Sequence, residues 1–384
     1  MVKWKGSVEG MEVKGVLDLE KAFKKKRVLV TGHTGFKGGW LSFWLNEMGS
    51  DVTGYSIGVP TKPSFFETVG LKDNLTHVKG DIRDLKHLKR IALECDPEYI
   101  FHLAAQPLVR ESYANPVETF ETNVLGTANL LEAARECESL VSCVCITSDK
   151  CYENQDWAFS YRENDRLGGK DPYSASKAAA EIVAASYRTS FFQSRGKKRP
   201  AIVTARAGNV IGGGDWAKDR IVPDCIRALK DGRSVVMRNP DSIRPWQHVL
   251  EPLAGYLRLA ALSGNDPDKY SGAWNFGPVG EGTISVRGLV DRVIDEWGSG
   301  KSELGTQDER RPEASVLKLD CTKAIDTLNW RPSLKVAEAI SLTVSWYKEM
   351  LSGETDMKKF TSSQIDEYSE SLKRMDDTVA TVRH

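Results

Sequence analysis

The most constraining stretch of this chain lies near its start. Arg27-Val28-Leu29-Val30-Thr31 is a short apolar, β-branched run that passes directly into Gly32-His33-Thr34-Gly35-Phe36-Lys37-Gly38. The glycines recur as G-x-x-G-x-x-G, and an apolar helical pattern follows from Gly39 to Met48. Glycines at such a strand–helix turn let the backbone bend tightly and approach a bound group without a Cβ in the way. The N–H groups and dipole of the helix that follows favour negative charge, so the turn is a candidate cradle for a pyrophosphate. Gly32, His33, Thr34, Gly35, Phe36, Lys37 and Gly38 are therefore the first candidate dinucleotide-binding residues.

The rest of the chain repeats this alternation. Asp51–Ser56, Thr76–Gly80, Tyr99–Ala104 and Val141–Thr147 read as further strands, with a helix from Val117 to Arg135 between the last two. Apolar runs bounded by Gly, Asp and Pro suit strands buried on both faces, and the intervening helices imply parallel crossovers. The expected fold class is α/β: a doubly wound, Rossmann-like parallel sheet with a smaller C-terminal substrate-binding lobe. Ligands then sit beyond the carboxyl ends of the strands. We expect an extension at 1–22, a dinucleotide-binding domain at 23–208, a mainly substrate-binding lobe at 209–352 and a polar segment at 353–384. Ala201–Ala205 and Trp274–Gly277 are candidate strands returning to the sheet. Beyond Gly353 only Ile365, Tyr368 and Leu372 stand out as apolar, which predicts a peripheral helix or a loose tail.

Composition narrows the function. The chain has 53 Lys+Arg against 53 Asp+Glu in 384 residues, so it lacks the surplus positive charge of a nucleic-acid binder. Its 7 cysteines include no C-x-x-C pair, which argues against zinc, any other metal centre and a disulfide framework. Met1–Lys26 has no apolar signal-peptide stretch, and no run approaches ~18 apolar residues. A cytoplasmic protein without a membrane partner is expected.

The second strand ends in Tyr55-Ser56, where an acidic residue normally holds the adenosine ribose. Ser56 is the candidate there, and Lys37 and Lys62 are basic candidates for a 2′-phosphate. Asp81, followed by Ile82, is placed either to accept from an adenine amino group or to cap the next helix. Ala104, Ala105 and Gln106 lie at the end of the fourth strand and just beyond it, towards a nicotinamide site.

Asp171-Pro172-Tyr173-Ser174-Ala175-Ser176-Lys177 has the N-cap and first-position residues of a helix. Tyr173 and Lys177 then share one face at i and i+4. An ammonium one turn away, with a cationic nicotinamide ring, favours phenolate, and makes Tyr173 an acid/base group for a hydroxyl that loses hydride from the same carbon. Thr147-Ser148-Asp149-Lys150 ends the fifth strand, where sheet ligands react.

With these motifs the chain resembles the extended short-chain dehydrogenases/reductases over roughly residues 20–350. Ser148-Asp149-Lys150-Cys151-Tyr152-Glu153-Asn154 and Arg244-Pro245-Trp246-Gln247-His248-Val249, with the glycine turn, resemble the CDP-glucose 4,6-dehydratases. The resemblance implies NAD as cofactor, CDP-glucose as substrate and a homodimer or dimer of dimers paired through the helices at 117–135 and 172–190. It implies a redox-neutral cycle: C4 oxidation, loss of water across C5–C6, and hydride return to C6. Tyr173 would take the O4 proton and Ser148 would position O4. Asp149 is the candidate acid for the leaving hydroxyl, and Lys150 either the C5 base or a cation for the enolate. Asn123 resembles the superfamily's helix asparagine, and Asn209 the residue that meets the substrate diphosphate. Gln106, Trp216, Arg220, Arg244 and Arg311 are further substrate candidates, the arginines because guanidinium matches phosphate oxygens. His102 reads as a satisfied core histidine, His248 as a structural hydrogen-bonder and Cys151 as packing.

Overall fold

The computed structural model describes residues 17–193, 199–279, 283–305 and 317–382. Seven parallel strands form one sheet: β1 (Arg27–Thr31), β2 (Asp51–Ser56), β3 (Thr76–Lys79), β4 (Tyr99–His102), β5 (Ser142–Ile146), β6 (Ala201–Ala207) and β7 (Gly272–Phe276). Their order is β7-β6-β5-β4-β1-β2-β3. Thr31 is thus in register with Tyr55 on one side and His102 on the other. The strand order reverses at β1, so a crevice opens at its carboxyl end, where the glycine turn begins.

Apart from its edge strand β3, the sheet is largely buried on both faces, and the period-2 alternation of its side chains divides the core. Val28, Val30, Phe101, Val144 and Val203 point to one cluster; Leu29, Ile100, Cys143, Cys145 and Ile202 point to the other. Helix α1 (Phe36–Glu47) lies on the first face, and every residue from Gly38 to Leu45 is buried. It starts three residues before the Gly39 expected from the apolar pattern, because the last glycine of the turn belongs to its first turn. Helix α2 (Leu85–Cys95) covers the second face with Leu88, Ile91 and Ala92. The helix expected at 117–135 runs from Pro116 to Ala134 with a π-turn at Glu121–Leu125. Its last regular part is α3 (Gly126–Ala134).

Helix α4 (Pro172–Tyr187) starts as its sequence predicts: Asp171 accepts from the Ser174 N–H at 2.9 Å and Pro172 takes the first position. The later part of the chain supplies α5 (Ile221–Lys230), α6 (Leu250–Asn265), α7 (Val286–Trp297) and α8 (Val336–Ser352), and returns β7 to the sheet beside β6. The segment beyond Gly353 is not a loose tail. It forms α9 (Met357–Val382), which buries Ile365 and Tyr368. Tyr368 meets Trp44 of α1 edge-on and donates to Glu251 of α6 at 2.9 Å, while Asp376 pairs with Arg258 at 3.0 Å. No helix among the described residues is long and apolar enough to cross a membrane.

Candidate active site

A cleft of about 1070 Å³ lies across the carboxyl ends of the strands. One end is the glycine turn. Gly32 adopts φ +79°, and a Cβ there would sit 2.7 Å from the Ala104 nitrogen. A Cβ on Gly38 would lie 2.1 Å from the Gly32 carbonyl oxygen, so only glycine lets α1 approach the turn this closely. The N-cap of α1 is Gly35, and no side chain caps its N–H groups. This cradle fits a pyrophosphate, with the helix dipole pointing into it.

The side chains around the turn divide into those that face the cleft and those that support it. Thr34, Phe36, Lys37 and Ser56 line it. His33, expected as a cofactor residue, is fully buried beneath the turn. It is hydrogen-bonded to Ser56 Oγ at 2.9 Å and to His77 at 2.7 Å. Burial, then the neighbouring His77, pushes its pKa down to about 3, so it is a neutral support for Ser56. Lys37 also departs from expectation as a 2′-phosphate ligand. The side chain of a second helical residue leans back over the turn before it, which carries Lys37 towards the reaction centre. Burial, then Lys177 and Arg220, lowers its pKa to about 7, against the pull of Asp149. Lys62 lines the cleft.

Asp84, not Asp81, caps α2, accepting from the His87 N–H at 3.0 Å. Asp81 lines the cleft beside Ile82, but its carboxylate already receives Arg83 Nη2 at 2.7 Å and the Arg83 backbone N–H at 2.9 Å. Those bonds hold it below the usual carboxylate range. Ala104, Ala105 and Gln106 line the cleft after β4. Both ends of the Gln106 amide are used within the loop: Oε1 accepts from the Leu108 N–H at 2.6 Å and Nε2 donates to Thr119 at 2.9 Å. Gln106 therefore shapes the loop that lines the cleft, with one amide N–H and one oxygen lone pair not used in these bonds. The π-turn brings Asn123 inward, where it accepts from the Gln106 N–H at 2.8 Å and donates to Ser176 Oγ at 2.8 Å. Asn123 ties the loop to α4 and makes its contribution from behind the cleft wall.

At the centre, β5 and the start of α4 bring the candidate catalytic groups together. Ser148 Oγ donates to Asp149 Oδ1 at 3.0 Å and accepts from the Lys150 N–H at 3.2 Å. Burial holds the Tyr173 pKa up at about 12, and the nearby Ser148 hydroxyl, which favours the phenolate, offsets only part of it. Lys177 donates to the Ile146 carbonyl at 3.4 Å; burial lowers its pKa to about 8, opposed by Glu181. The protein's own groups thus do not bring Tyr173 down to neutral pH, and the phenolate calls for added positive charge in the cleft. Burial raises the Asp149 carboxyl pKa against the pull of Lys150, Ser148 and Lys37, as suits an acid. Lys150 faces the same space. Cys151 is buried packing, as read from the sequence.

Asn209, Trp216, Arg220 and Arg244 line the same cleft. Arg220 is held by Asp215 at 2.8 Å, and its charge favours the Tyr173 phenolate. Arg311 lies outside the described residues. His102 is a satisfied core residue, bonded to Thr31 at 2.7 Å and Thr127 at 3.2 Å. His248 makes one long bond, with the Leu250 N–H at 3.4 Å, and its Nε2 has no partner among the described residues. Sequence reasoning missed Glu181 and Arg206, a buried ion pair directly behind Lys177. Two signals were available: Glu181 repeats the i+4 spacing beyond Lys177, and Arg206 is a lone charge in an apolar strand.

Comparison with known proteins agrees with this geometry. The sequence profile of the GDP-mannose 4,6 dehydratase family matches residues 29–343. A CDP-glucose 4,6-dehydratase of Salmonella typhimurium is 48% identical over 91% of this chain and 98% of its own length. Among solved structures, the UDP-glucose 4-epimerase of Thermotoga maritima with UDP-glucose superposes with a TM-score of 0.74 at 22% identity, covering 84% of this chain and 99% of that one. A dTDP-glucose 4,6-dehydratase of Streptomyces venezuelae with NAD bound gives 0.71 at 24% identity, covering 84% and 97%. A parallel sheet with its glycine cradle, a Tyr–Lys helix and a profile match across most of the chain place this protein in the GDP-mannose 4,6 dehydratase family.

Proposed function

We propose that the protein is a hydro-lyase that converts CDP-D-glucose to CDP-4-keto-6-deoxy-D-glucose with NAD recycled in each turnover. The observation that carries the reading is the placement of a buried Asp149 and a cleft-lining Lys150 beside the Ser148–Tyr173–Lys177 group. A sugar oxidised at C4 and restored needs only the latter three; expelling water needs an added acid and a C5 base. The glycine turn, Ser56 and the Ala104–Gln106 loop would hold NAD, whose chemistry is to accept hydride from C4 and give it to C6.

The chain's own residues handle the protons. Tyr173, whose phenolate is favoured by the nearby Ser148 and the charge of Arg220, removes the O4 proton. The C4 ketone acidifies C5, and Lys150 takes that proton or steadies the enolate charge. Asp149, whose burial favours its neutral form, donates to the departing C6 hydroxyl. Arg220, Arg244 and Asn209 are proposed for the diphosphate, and Arg311 for the same role. The choice of cytidine rests on the 48% identical relative named for CDP-glucose.

The proposal extends to a cytoplasmic homodimer that serves deoxysugar synthesis for lipopolysaccharide O-antigen. Val117 and Leu125 before α3 and Ile182 on α4 are 68%, 58% and 60% exposed, an apolar set on two packed helices that a second copy would cover. The test is to incubate the protein with CDP-, dTDP- or UDP-glucose and catalytic NAD, with Tyr173→Phe as the blank. A 4-keto-6-deoxy product from CDP-glucose, read by its alkali-induced absorbance without net NADH, supports both chemistry and nucleotide. Product from another nucleotide alone overturns the substrate; inversion at C4 without dehydration overturns the reaction.

A further inference from the structure

The loop that carries Asp149 and Lys150 is held at both ends by one buried ion pair. Glu181 of α4 and Arg206 of β6 meet at 2.8 Å, and each side chain is only 3% exposed. Glu181 Oε1 accepts from Thr147 Oγ1 at 2.5 Å, immediately before Ser148. Its other oxygen accepts from Thr204 Oγ1 at 2.7 Å as well as from Arg206. Arg206 Nη1 donates to Tyr152 Oη at 2.7 Å, immediately beyond the short turn at Asp149–Cys151. Tyr152 in turn donates to Asn275 of β7 at 2.7 Å, and the guanidinium carbon lies 4.8 Å from the centre of the Tyr152 ring.

A buried ion pair is weak evidence for stability, because desolvation offsets most of the attraction. Its partners here are informative: two of them bracket the residues proposed for elimination, and the third charge nearby is Lys177, one helical turn from Glu181. We infer that Glu181 and Arg206 are positioning residues that fix the 148–151 loop against α4. This role rests on the dehydratase reading above. The near tether, Thr147, sets Ser148 and so bears on C4 oxidation as well as elimination. The far tether, Tyr152, acts first on where Asp149 and Lys150 point and reaches Ser148 only through them, so its loss slows the C5 and C6 steps more than C4 oxidation.

Tyr152→Phe separates these effects. The ring and its contact with the guanidinium remain, and Arg206 Nη1 keeps the Glu163 carbonyl at 3.0 Å, so the charge is not stranded. Two probes read the half-reactions. CDP-6-deoxyglucose has no C6 hydroxyl to lose, and reports C4 oxidation through the near-ultraviolet absorbance of reduced cofactor in a single turnover. CDP-4-keto-6-deoxyglucose in deuterated buffer, without added cofactor, reports exchange at C5 by NMR. We expect Tyr152→Phe to slow C5 exchange by ~10–100-fold, the scale of a misplacement of about 1 Å, and C4 oxidation by less than ~3-fold. Thr204→Val, which removes a bond from the same carboxylate without touching the loop, leaves both rates at wild-type values. Equal effects of Tyr152→Phe on both probes, or none on either, overturn the positioning role. A wild-type protein that neither oxidises the first probe nor exchanges the second overturns the dehydratase reading itself.

Discussion

Asp149→Asn isolates the acid step with little disturbance of the fold. Asparagine keeps the volume of aspartate and an oxygen that can accept from Ser148, which donates to Asp149 at 3.0 Å. Burial already raises the Asp149 pKa, so a neutral replacement removes a desolvation cost and the folded state should be no less stable. The amide cannot give a proton to a leaving hydroxide. General acid catalysis contributes about 10²–10⁴-fold, so product formation from CDP-glucose should fall by that factor, about 3–5 kcal/mol in barrier. C4 oxidation of CDP-6-deoxyglucose, which needs Tyr173, Ser148 and Lys177, should continue at close to its wild-type rate. The acid must be protonated, so wild-type elimination should decline as pH rises through the raised Asp149 pKa, and the variant should lack that limb. Thermal melting establishes that the variant is folded, and alkali-induced absorbance measures the product. Product formation within about 3-fold of wild type would refute the assignment of Asp149 as the acid.

Other predictions concern the cradle and the buried charges. Gly38→Ala places a Cβ 2.1 Å from the Gly32 carbonyl oxygen, so the turn must open; we expect NAD affinity by calorimetry to drop ~10-fold or more and stability to fall by ~1–3 kcal/mol, and wild-type affinity would sink the cradle. Glu251 accepts from the Ser333 and Leu334 N–H groups and from Tyr368, yet burial raises its pKa from 4.5 to about 7. Because the folded pKa is raised, its contribution is fully present below about pH 4.5 and lost as pH rises through about 7, on the order of 3 kcal/mol. Glu251→Gln should remove that pH dependence in denaturant titrations, and parallel profiles would refute it. His102 has its pKa lowered to about 3 by burial, so its contribution is present above about pH 6.5 and lost as pH falls towards 3. His102→Gln, able to bond Thr31 and Thr127, should show a shallower acid loss of melting temperature than wild type.

The elements that recur along the chain were legible without coordinates because they depend on neighbours in sequence. The β1 run, the glycine spacing, the Asp171–Pro172 helix start and the i, i+4 relation of Tyr173 and Lys177 are local, and backbone sterics and capping act over a few residues. The same reasoning located the Ser148–Lys150 loop at a strand end and the internal packing of His102. Orientation was not legible. His33 and Lys37 are four residues apart in one turn, yet the first is buried under Ser56 and the second reaches the reaction centre. Their difference depends on what α1 packs against, which no local pattern states. Local sequence leaves Asp81 between an adenine contact and a helix cap, and only the fold shows that Arg83 engages its carboxylate while Asp84 caps α2.

Burial and long-range contact account for the rest. The polar sequence beyond Gly353 became a packed helix because Glu251 and Arg258, more than a hundred residues earlier, offer partners to Tyr368 and Asp376. The pKa order of the cleft, with Lys37 near 7, Lys177 near 8 and Tyr173 near 12, is set by desolvation where β1, β5, α1 and α4 converge. The chain's own sequence determined which chemical groups are present, and which helix or strand end carries each. The tertiary structure decided which of them share one water-poor space, because burial alone raises the Asp149 carboxyl pKa and leaves the Glu181–Arg206 pair without solvent.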